Sequence, residues 1–169
     1  SVQSRRLKRS MRMKSNVATF ASDVANALGI HDWDVEPNSD AAGGRVIIIE
    51  GDLYNRPQIL HDLASEALAL GNHPVDMLAC VPPSMVRATS EDGLCGAAEH
   101  YVKSGGRVWD GTARDVREFF ASHRDELRFV QYDSCRGLEA WTSINFGLDQ
   151  LWDCKFNQMI SSGRQTDDL

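Results

Sequence analysis

The feature that most constrains this chain is a set of short, mainly apolar runs, one of which is continuously β-branched. Arg45–Leu53 contains Val-Ile-Ile-Ile, and Val75–Val81 and Arg128–Tyr132 are also predominantly apolar. Strands that are apolar on both faces are typical of parallel sheets covered on both sides. Segments of helical periodicity separate the runs. The sequence therefore predicts an α/β fold, with a mainly parallel sheet and helices on both faces in three layers.

The remaining elements follow from periodicity and from Gly and Pro punctuation. The predicted helices are Asn16–Leu28, a segment from Pro57 to Leu70, Ser84–Lys103 and Ala113–His123, with one helical turn over Gly137–Ala140. Arg107–Trp109 and Trp141–Leu148 are further predicted strands, and Phe119 and Phe120 are predicted to point into the core. One domain is expected over residues 1–157, with 1–14 as a basic lead-in and 158–169 as a flexible tail.

Composition and cysteine spacing exclude several classes of protein. No apolar run approaches the roughly 18 residues needed to cross a membrane. Four cysteines occur, without a C-x-x-C pair or zinc-finger spacing, so a metal site is not expected. A chain of this size does not need disulfides, which favours a cytoplasmic location. The basic start lacks a signal peptide's apolar segment, and the first residue, Ser1, suggests a fragment of a longer protein.

Charge is unevenly distributed along the chain. The net charge is −6, yet residues 1–22 contain six Lys and Arg and no acid. A basic cluster on an acidic body is either a polyanion contact or a solvated terminus. The second interpretation is the simpler one when charge is considered alone.

The segment Gln131–Trp141 joins two predicted strands through small and polar residues. Such a segment is expected to put its polar groups together at one end of the sheet, where ligands bind in open α/β folds. Asp-Ser-Cys-Arg-Gly after a strand resembles the cysteine turn of caspase-type proteases, with Cys135 as the nucleophile. That chemistry needs a histidine base, and the family's His-Gly pair does not occur. Cys135 is otherwise a small turn residue.

The same segment also supports a resemblance to DNA helicases. Arg136-Gly137-Leu138-Glu139 resembles the Lys/Arg-Gly-Leu-Glu motif of the UvrD/Rep-like helicases, where a strand also follows. Leu7-x-x-Ser10-Met11-Arg12 resembles the Leu-x-x-Asn-Tyr-Arg segment that opens their second RecA-like domain. The resemblance covers about residues 5–155 and preserves the order of these elements. It implies a RecA-like domain that acts with an N-terminal RecA-like domain of the same protein.

The resemblance also implies roles for individual residues. Arg12 would contact the γ-phosphate of ATP, Glu139 would accept a hydrogen bond from the ribose, and Gly137 would allow close approach of the backbone. Arg136 would couple the ATP cleft to the DNA track. Gln131 and Ser134 would contact single-stranded DNA, although Gln131 and Asp133 stand where the family usually has Thr and His.

Several departures from this pattern limit what the chain can do alone. The sequence has no G-x-x-x-x-G-K-[ST], so ATP and Mg²⁺ would be held largely by another domain and the metal would not be bound by this chain. We therefore expect the isolated chain to be inactive. Met11 replaces the family's tyrosine, and the family's final arginine motif is not found. Trp109 and Trp141 lie in apolar predicted strands, where core packing is favoured over a role as DNA-stacking platforms. A non-catalytic α/β interaction module is the remaining alternative.

Overall fold

The structure is a computed structural model that describes residues 13–31, 33, 35–51, 56–86, 94–113, 119–148 and 150. The chain divides into two compact units, Ser1–Gly51 and Asp52–Leu169, and the single domain predicted over residues 1–157 stays a prediction. Each unit is described by itself.

The first unit contains one helix, α1, in its described residues. It spans Ser15–Ala27, which confirms the helix predicted at 16–28. Its buried residues are Ala18 and Ala25, whereas Phe20 is 37% exposed. Ser22 Oγ donates to Ala18 O, and Trp33 Nε1 donates to Ser22 Oγ at 3.2 Å. The fully buried positions of this helix are therefore small residues, and the Ser22 hydroxyl adds hydrogen bonds beside them.

The predicted buried strand at Arg45–Leu53 is wrong over its described part. Residues 42–50 form neither helix nor strand, and Val46, Ile47, Ile48 and Ile49 are 38%, 54%, 74% and 39% exposed. β-Branched residues favour an extended backbone, but a strand also needs a neighbouring strand to satisfy its amide and carbonyl groups. Among the described residues, no strand pairs with this run.

The second unit contains the sheet. Its strands are β1 (Met77–Val81), β2 (Arg107–Asp110), β3 (Glu126–Gln131) and β4 (Thr142–Asn145). They lie in the order β2-β3-β1-β4, and every neighbouring pair is parallel. The predicted α/β class and parallel sheet are confirmed. β1 begins later than predicted because Pro74–Asp76 forms a 3-10 turn.

Two helices of the second unit confirm predictions in whole or in part. α2 spans Gln58–Ala69 and directly follows Pro57, whose fixed φ suits a helix start. α3 spans Gly96–Lys103, so only the last part of the predicted helix at 84–103 is seen as such. Pro83–Met85 is a 3-10 turn instead, and residues 87–93 lie outside the described part.

The core of the second unit uses both faces of the sheet. Because side chains alternate along a strand, Met77, Ala79 and Val81 face one side and Leu78 and Cys80 face the other. The first face packs against α2 and α3 through Leu60, Ala64, Ala67, Ala97, Ala98 and Tyr101. On the second face, Leu78, Cys80 and Val130 pack against Trp109, Tyr132 and Cys135. Among the described residues, the β3–β4 connection lies over this second face, and Phe120 and Ala121 line a pocket beside it. The predicted three-layer arrangement stays a prediction.

The predicted inward helix at 113–123 is wrong where it is described. Residues 119–123 are not helical, and Phe119 and Phe120 are 66% and 83% exposed. Residues 114–118 lie outside the described part. The helical turn predicted at 137–140 is also wrong, since Tyr132–Ser134 forms a 3-10 turn and residues 138–140 have no regular structure. Within the described residues, no helix has the length and apolarity required to span a bilayer.

Candidate functional site

The connection between β3 and β4 runs across the sheet. These strands flank β1 and both run parallel to it. β3 ends at Gln131 and β4 begins at Thr142, so residues 132–141 must return from the carboxyl edge of the sheet to its amino edge. At about 3.3 Å per residue, the five residues of β1 separate these edges by roughly 13 Å. The expectation that the segment gathers its polar groups at one end of the sheet is therefore wrong.

Gln131 lies at the carboxyl edge and takes part in an internal hydrogen-bond network. Its Nε2 donates to the main-chain oxygen of Thr112 at 2.6 Å, and Thr112 is only 2% exposed. Asp110 Oδ1 accepts from Thr112 N at 2.9 Å and from Thr112 Oγ1 at 2.6 Å. Asp110 Oδ2 accepts from Cys95 N at 2.5 Å. One role of the Gln131 amide is thus to hold the loop after β2 against the end of β3.

Ser134 follows Gln131 in the 3-10 turn at the same end of β3. Its hydroxyl donates to Asp133 Oδ1 at 2.7 Å, and Asp133 is exposed. Tyr132 is turned inward, and its hydroxyl donates to Phe146 O at 2.8 Å. Burial raises the pKa of Tyr132, with smaller contributions from the thiols of Cys80 and Cys135. The structure therefore brings Gln131 and Ser134 close in the chain at one edge, with the acidic Asp133 between them.

The middle of the connection lies over the second face of the sheet. Cys135 Sγ donates to Tyr132 O at 3.0 Å, and Cys135 packs against Cys80. Burial raises the pKa of Cys80 to about 12, and Cys135 adds to the shift. A pocket of about 90 Å³ lies alongside and is lined mainly by apolar residues, including Leu78, Trp109 and Leu138. The thiol of Cys135 thus packs against the sheet and donates its hydrogen bond to a main-chain carbonyl.

The histidines that the caspase-like alternative requires lie on other elements. His61 is in α2, where its ring is hydrogen-bonded to Ser104 Oγ at 2.8 Å and contacts Tyr101. His73 precedes β1 at the amino edge, whereas Cys135 follows the carboxyl end of β3. Neither arrangement pairs an imidazole with the thiol of Cys135, as a thiol nucleophile would need.

Gly137 turns the connection toward the amino edge. Its φ of +84° lies in the left-handed region that glycine adopts at little cost. Leu138 N donates to Cys135 O at 3.0 Å and closes this turn. Arg136 is exposed beside it. A Cβ at position 137 would meet no atom within 4 Å, so the requirement for glycine here comes from backbone conformation and not from crowding.

Glu139 lies at the amino edge, beside the start of β1. A pocket of about 300 Å³ is lined by Glu139, Asp76, Asn72, Ala140 and Trp141. Trp141 N donates to Asp76 O at 2.7 Å, which fixes the entry into β4. Asp76 Oδ2 accepts from His73 N at 2.9 Å. The pocket thus combines two carboxylates and an amide with an aromatic ring.

Arg128 of β3 supports Glu139 from the second face of the sheet. Its Nη2 donates to Glu139 O at 2.9 Å, while its Nε is buried and has no hydrogen-bond partner among the described residues. Burial lowers the pKa of Arg128, and the Asp76 carboxylate opposes that shift. Sequence reasoning missed Arg128, Asp76 and the exposure of Trp141. The available signal was an arginine between Leu127 and Phe129 in a strand predicted to be buried.

The polar groups at the amino edge suit the sugar end of a nucleotide better than its phosphate end. Carboxylates accept hydrogen bonds from hydroxyl groups but repel phosphates. Glu139 and Asp76 therefore suit a ribose, whereas phosphates would need cations supplied from elsewhere. Among the described residues, no group of three His, Cys, Asp or Glu is placed to hold a metal ion. Arg12, the residue expected at the γ-phosphate, lies outside the described residues, as does the rest of the Leu7–Arg12 element.

Comparisons with known proteins identify no relative of this chain. A scan against protein-family models and searches of curated proteins and of solved structures all returned no match.

Proposed function

We propose that this chain is the second, RecA-like motor domain of an ATP-dependent DNA helicase or translocase of the UvrD/Rep-like type. The observation that carries the proposal is the path of the connection between β3 and β4. A single short segment joins Gln131 and Ser134 at one edge of the sheet to Glu139 at the other. A motor domain must respond to nucleotide and nucleic acid at separate places, and one continuous segment between them supports such coupling.

The amino edge is the proposed nucleotide side. Glu139 would accept a hydrogen bond from the ribose, beside the carboxylate of Asp76. Gly137 would permit the backbone turn that delivers Glu139, and Arg136 would link this edge to the DNA side. ATP with Mg²⁺ supplies the phosphoanhydride bond that is hydrolysed. Its phosphates and metal would be held by an N-terminal RecA-like domain, with Arg12 contributed to the γ-phosphate from this chain.

The carboxyl edge is the proposed side for single-stranded DNA. The second Nε2 hydrogen of Gln131 would donate to a phosphate there, and the Ser134 hydroxyl would do so by exchanging its Asp133 partner for the phosphate. Independently of this edge, the six Lys and Arg residues of segment 1–14 would attract a polyanion. We place the protein in the cytoplasm, which the free thiols of Cys80, Cys95 and Cys135 support.

The test uses the complete protein that carries this chain and measures DNA-stimulated ATP hydrolysis. Arg12→Ala should lower turnover by about 10²-fold, the usual effect of removing one transition-state donor. Glu139→Gln, which keeps the side-chain size, should raise the KM for ATP. Glu36→Gln is the matched control, because Glu36 is exposed in the first unit. Wild-type kinetics in both Arg12→Ala and Glu139→Gln would contradict the proposed sites.

The isolated chain provides a second test. It should hydrolyse no ATP, and it should bind single-stranded DNA with an affinity that falls as salt rises. An affinity for single-stranded DNA that does not change with salt concentration would favour the non-catalytic interaction module. Rapid labelling of Cys135 by a thiol reagent at neutral pH, blocked by a peptide substrate analogue, would instead favour the cysteine hydrolase.

A further inference from the structure

The pocket at the amino edge contains an exposed indole. Trp141 is 44% exposed, although the sequence predicts it inside an apolar strand. β4 begins only at Thr142, so Trp141 stands just before the ladder, and its N–H is tied to Asp76 O at 2.7 Å. Trp141 lines this pocket together with Asp76 and Glu139. Its main chain is therefore fixed while its ring remains accessible.

The chemistry of the pocket selects one class of ligand. The pocket is a shallow depression of about 300 Å³ that opens to solvent, so it would cover one side of a ligand and leave the rest exposed. Asp76 and Glu139 accept hydrogen bonds from hydroxyl or amino groups, and Asn72 offers both donor and acceptor atoms. The indole of Trp141 offers a flat surface for a ring. A sugar joined to a heterocyclic base has these features, whereas a phosphate group would be repelled by the two carboxylates.

The same charges disfavour single-stranded DNA as the ligand of Trp141. Aromatic platforms for single strands normally accompany a positively charged groove. The described charged side chains that line this pocket, Asp76 and Glu139, are both acidic. Arg128 Nη2 donates to the main-chain oxygen of Glu139.

We infer that Trp141 contacts the base of the nucleotide whose ribose is bound by Glu139, so that this chain contributes to base recognition. This inference rests on the proposed function. Trp141 would stack on the base, Glu139 and Asp76 would accept hydrogen bonds from the sugar or from an exocyclic amino group, and the phosphates would leave the pocket toward the other domain.

The experiment measures steady-state ATP hydrolysis by the complete protein in the presence of single-stranded DNA. Trp141→Ala should raise the KM for ATP about tenfold, within the range for loss of one base–aromatic stack. Trp141→Phe, which keeps a ring, should restore most of the affinity. Inhibition by inorganic tripolyphosphate, which has no base or sugar, should be equally strong in Trp141→Ala and in the wild type. Trp33→Ala is the matched control, because Trp33 is a 39% exposed indole in the first unit.

The outcomes separate this inference from the proposed function. An unchanged KM in Trp141→Ala, together with a raised KM in Glu139→Gln, overturns the role of Trp141 and leaves the motor assignment standing. Equal weakening of ATP and tripolyphosphate also overturns it, since the effect would then not concern the base. Loss of DNA affinity with an unchanged KM would make Trp141 a DNA contact instead. A complete protein without DNA-stimulated ATP hydrolysis refutes the proposed function, and the inference falls with it.

Discussion

Replacing Arg128 by Met should separate stability from function. Arg128 donates from Nη2 to Glu139 O, but its buried Nε lacks a partner among the described residues. Met keeps an unbranched apolar stem beside Leu78 and Trp109 while it removes the charge and every donor. Removing the guanidinium loses the hydrogen bond made by Nη2 and also relieves the cost of the unpaired Nε. These two changes have opposite effects on the free energy of unfolding.

The magnitudes of these effects nearly cancel. A hydrogen bond from a charged donor contributes about 1.5–3 kcal/mol, which Arg128→Met loses. A buried donor without a partner costs about 1–3 kcal/mol, which the same substitution relieves. We therefore expect Arg128→Met to unfold within about 1 kcal/mol of the wild type. Ala lacks the Cγ, Sδ and Cε atoms that Met keeps. Arg128→Ala should therefore be less stable than Arg128→Met by about 2 kcal/mol, the lower end of the range for such a truncation, because the position is half-buried.

Urea unfolding of the chain, followed by circular dichroism, measures these differences. Arg107→Met is the control, because Arg107 forms an exposed pair with Asp125 at 2.9 Å and such pairs contribute about 1 kcal/mol or less. In the complete protein, Arg128→Met should also raise the KM for ATP, since the main chain at Glu139 loses its anchor. A loss of more than about 3 kcal/mol in Arg128→Met would refute the reasoning, because the guanidinium would then be fully satisfied in the folded state.

Two further predictions concern the connection and the buried thiols. Gly137→Ala should lower the free energy of unfolding by about 1–2 kcal/mol, because the φ of +84° at this position is unfavourable for a residue with a Cβ, and Gly137→Asn should have a smaller effect. A much larger loss, measured by urea unfolding, would indicate a steric clash that the open surroundings of Gly137 do not predict. Burial raises the pKa values of Cys80 and Cys95 from 9.0 to about 12, so both thiols favour folding below pH 9 and lose that contribution as pH rises toward 12. Urea unfolding between pH 8 and 11 should show stability falling with pH, less steeply in Cys80→Ala, and a flat or rising profile would contradict the assignment.

The fold was predictable where local pattern and pairing agree. Met77–Val81 is apolar at every position, and it becomes the strand with neighbours on both sides. Val46–Ile49 is β-branched at every position, a stronger preference for extended backbone, yet it lies exposed in its unit without a described strand beside it. Sequence pattern sets a preference for extended backbone, whereas pairing depends on which distant segments meet. Nothing in the local sequence indicates which of these two runs will find neighbouring strands.

The segment that carries the candidate residues was predictable from the sequence, but the position of those residues on the sheet was not. Gln131–Trp141 was correctly identified as the segment between two strands. The two strands were not known to flank a third, and that topology alone sends Glu139 to the opposite edge from Gln131. The apolar neighbours of Trp141 predict that it lies within a buried strand, but the hydrogen-bonded strand begins one residue later, at Thr142. Long-range topology and register decide both points.

The exposed run at Val46–Ile49 has a consequence for handling the isolated protein. Short segments of high β-propensity and low charge are the ones that form intermolecular cross-β aggregates. Here Arg45 places a positive charge before the run, and Glu50 places a negative charge after it. Flanking charges of this kind act as gatekeepers against aggregation. The solubility of concentrated samples is therefore expected to depend on these two side chains more than on the composition of the chain as a whole.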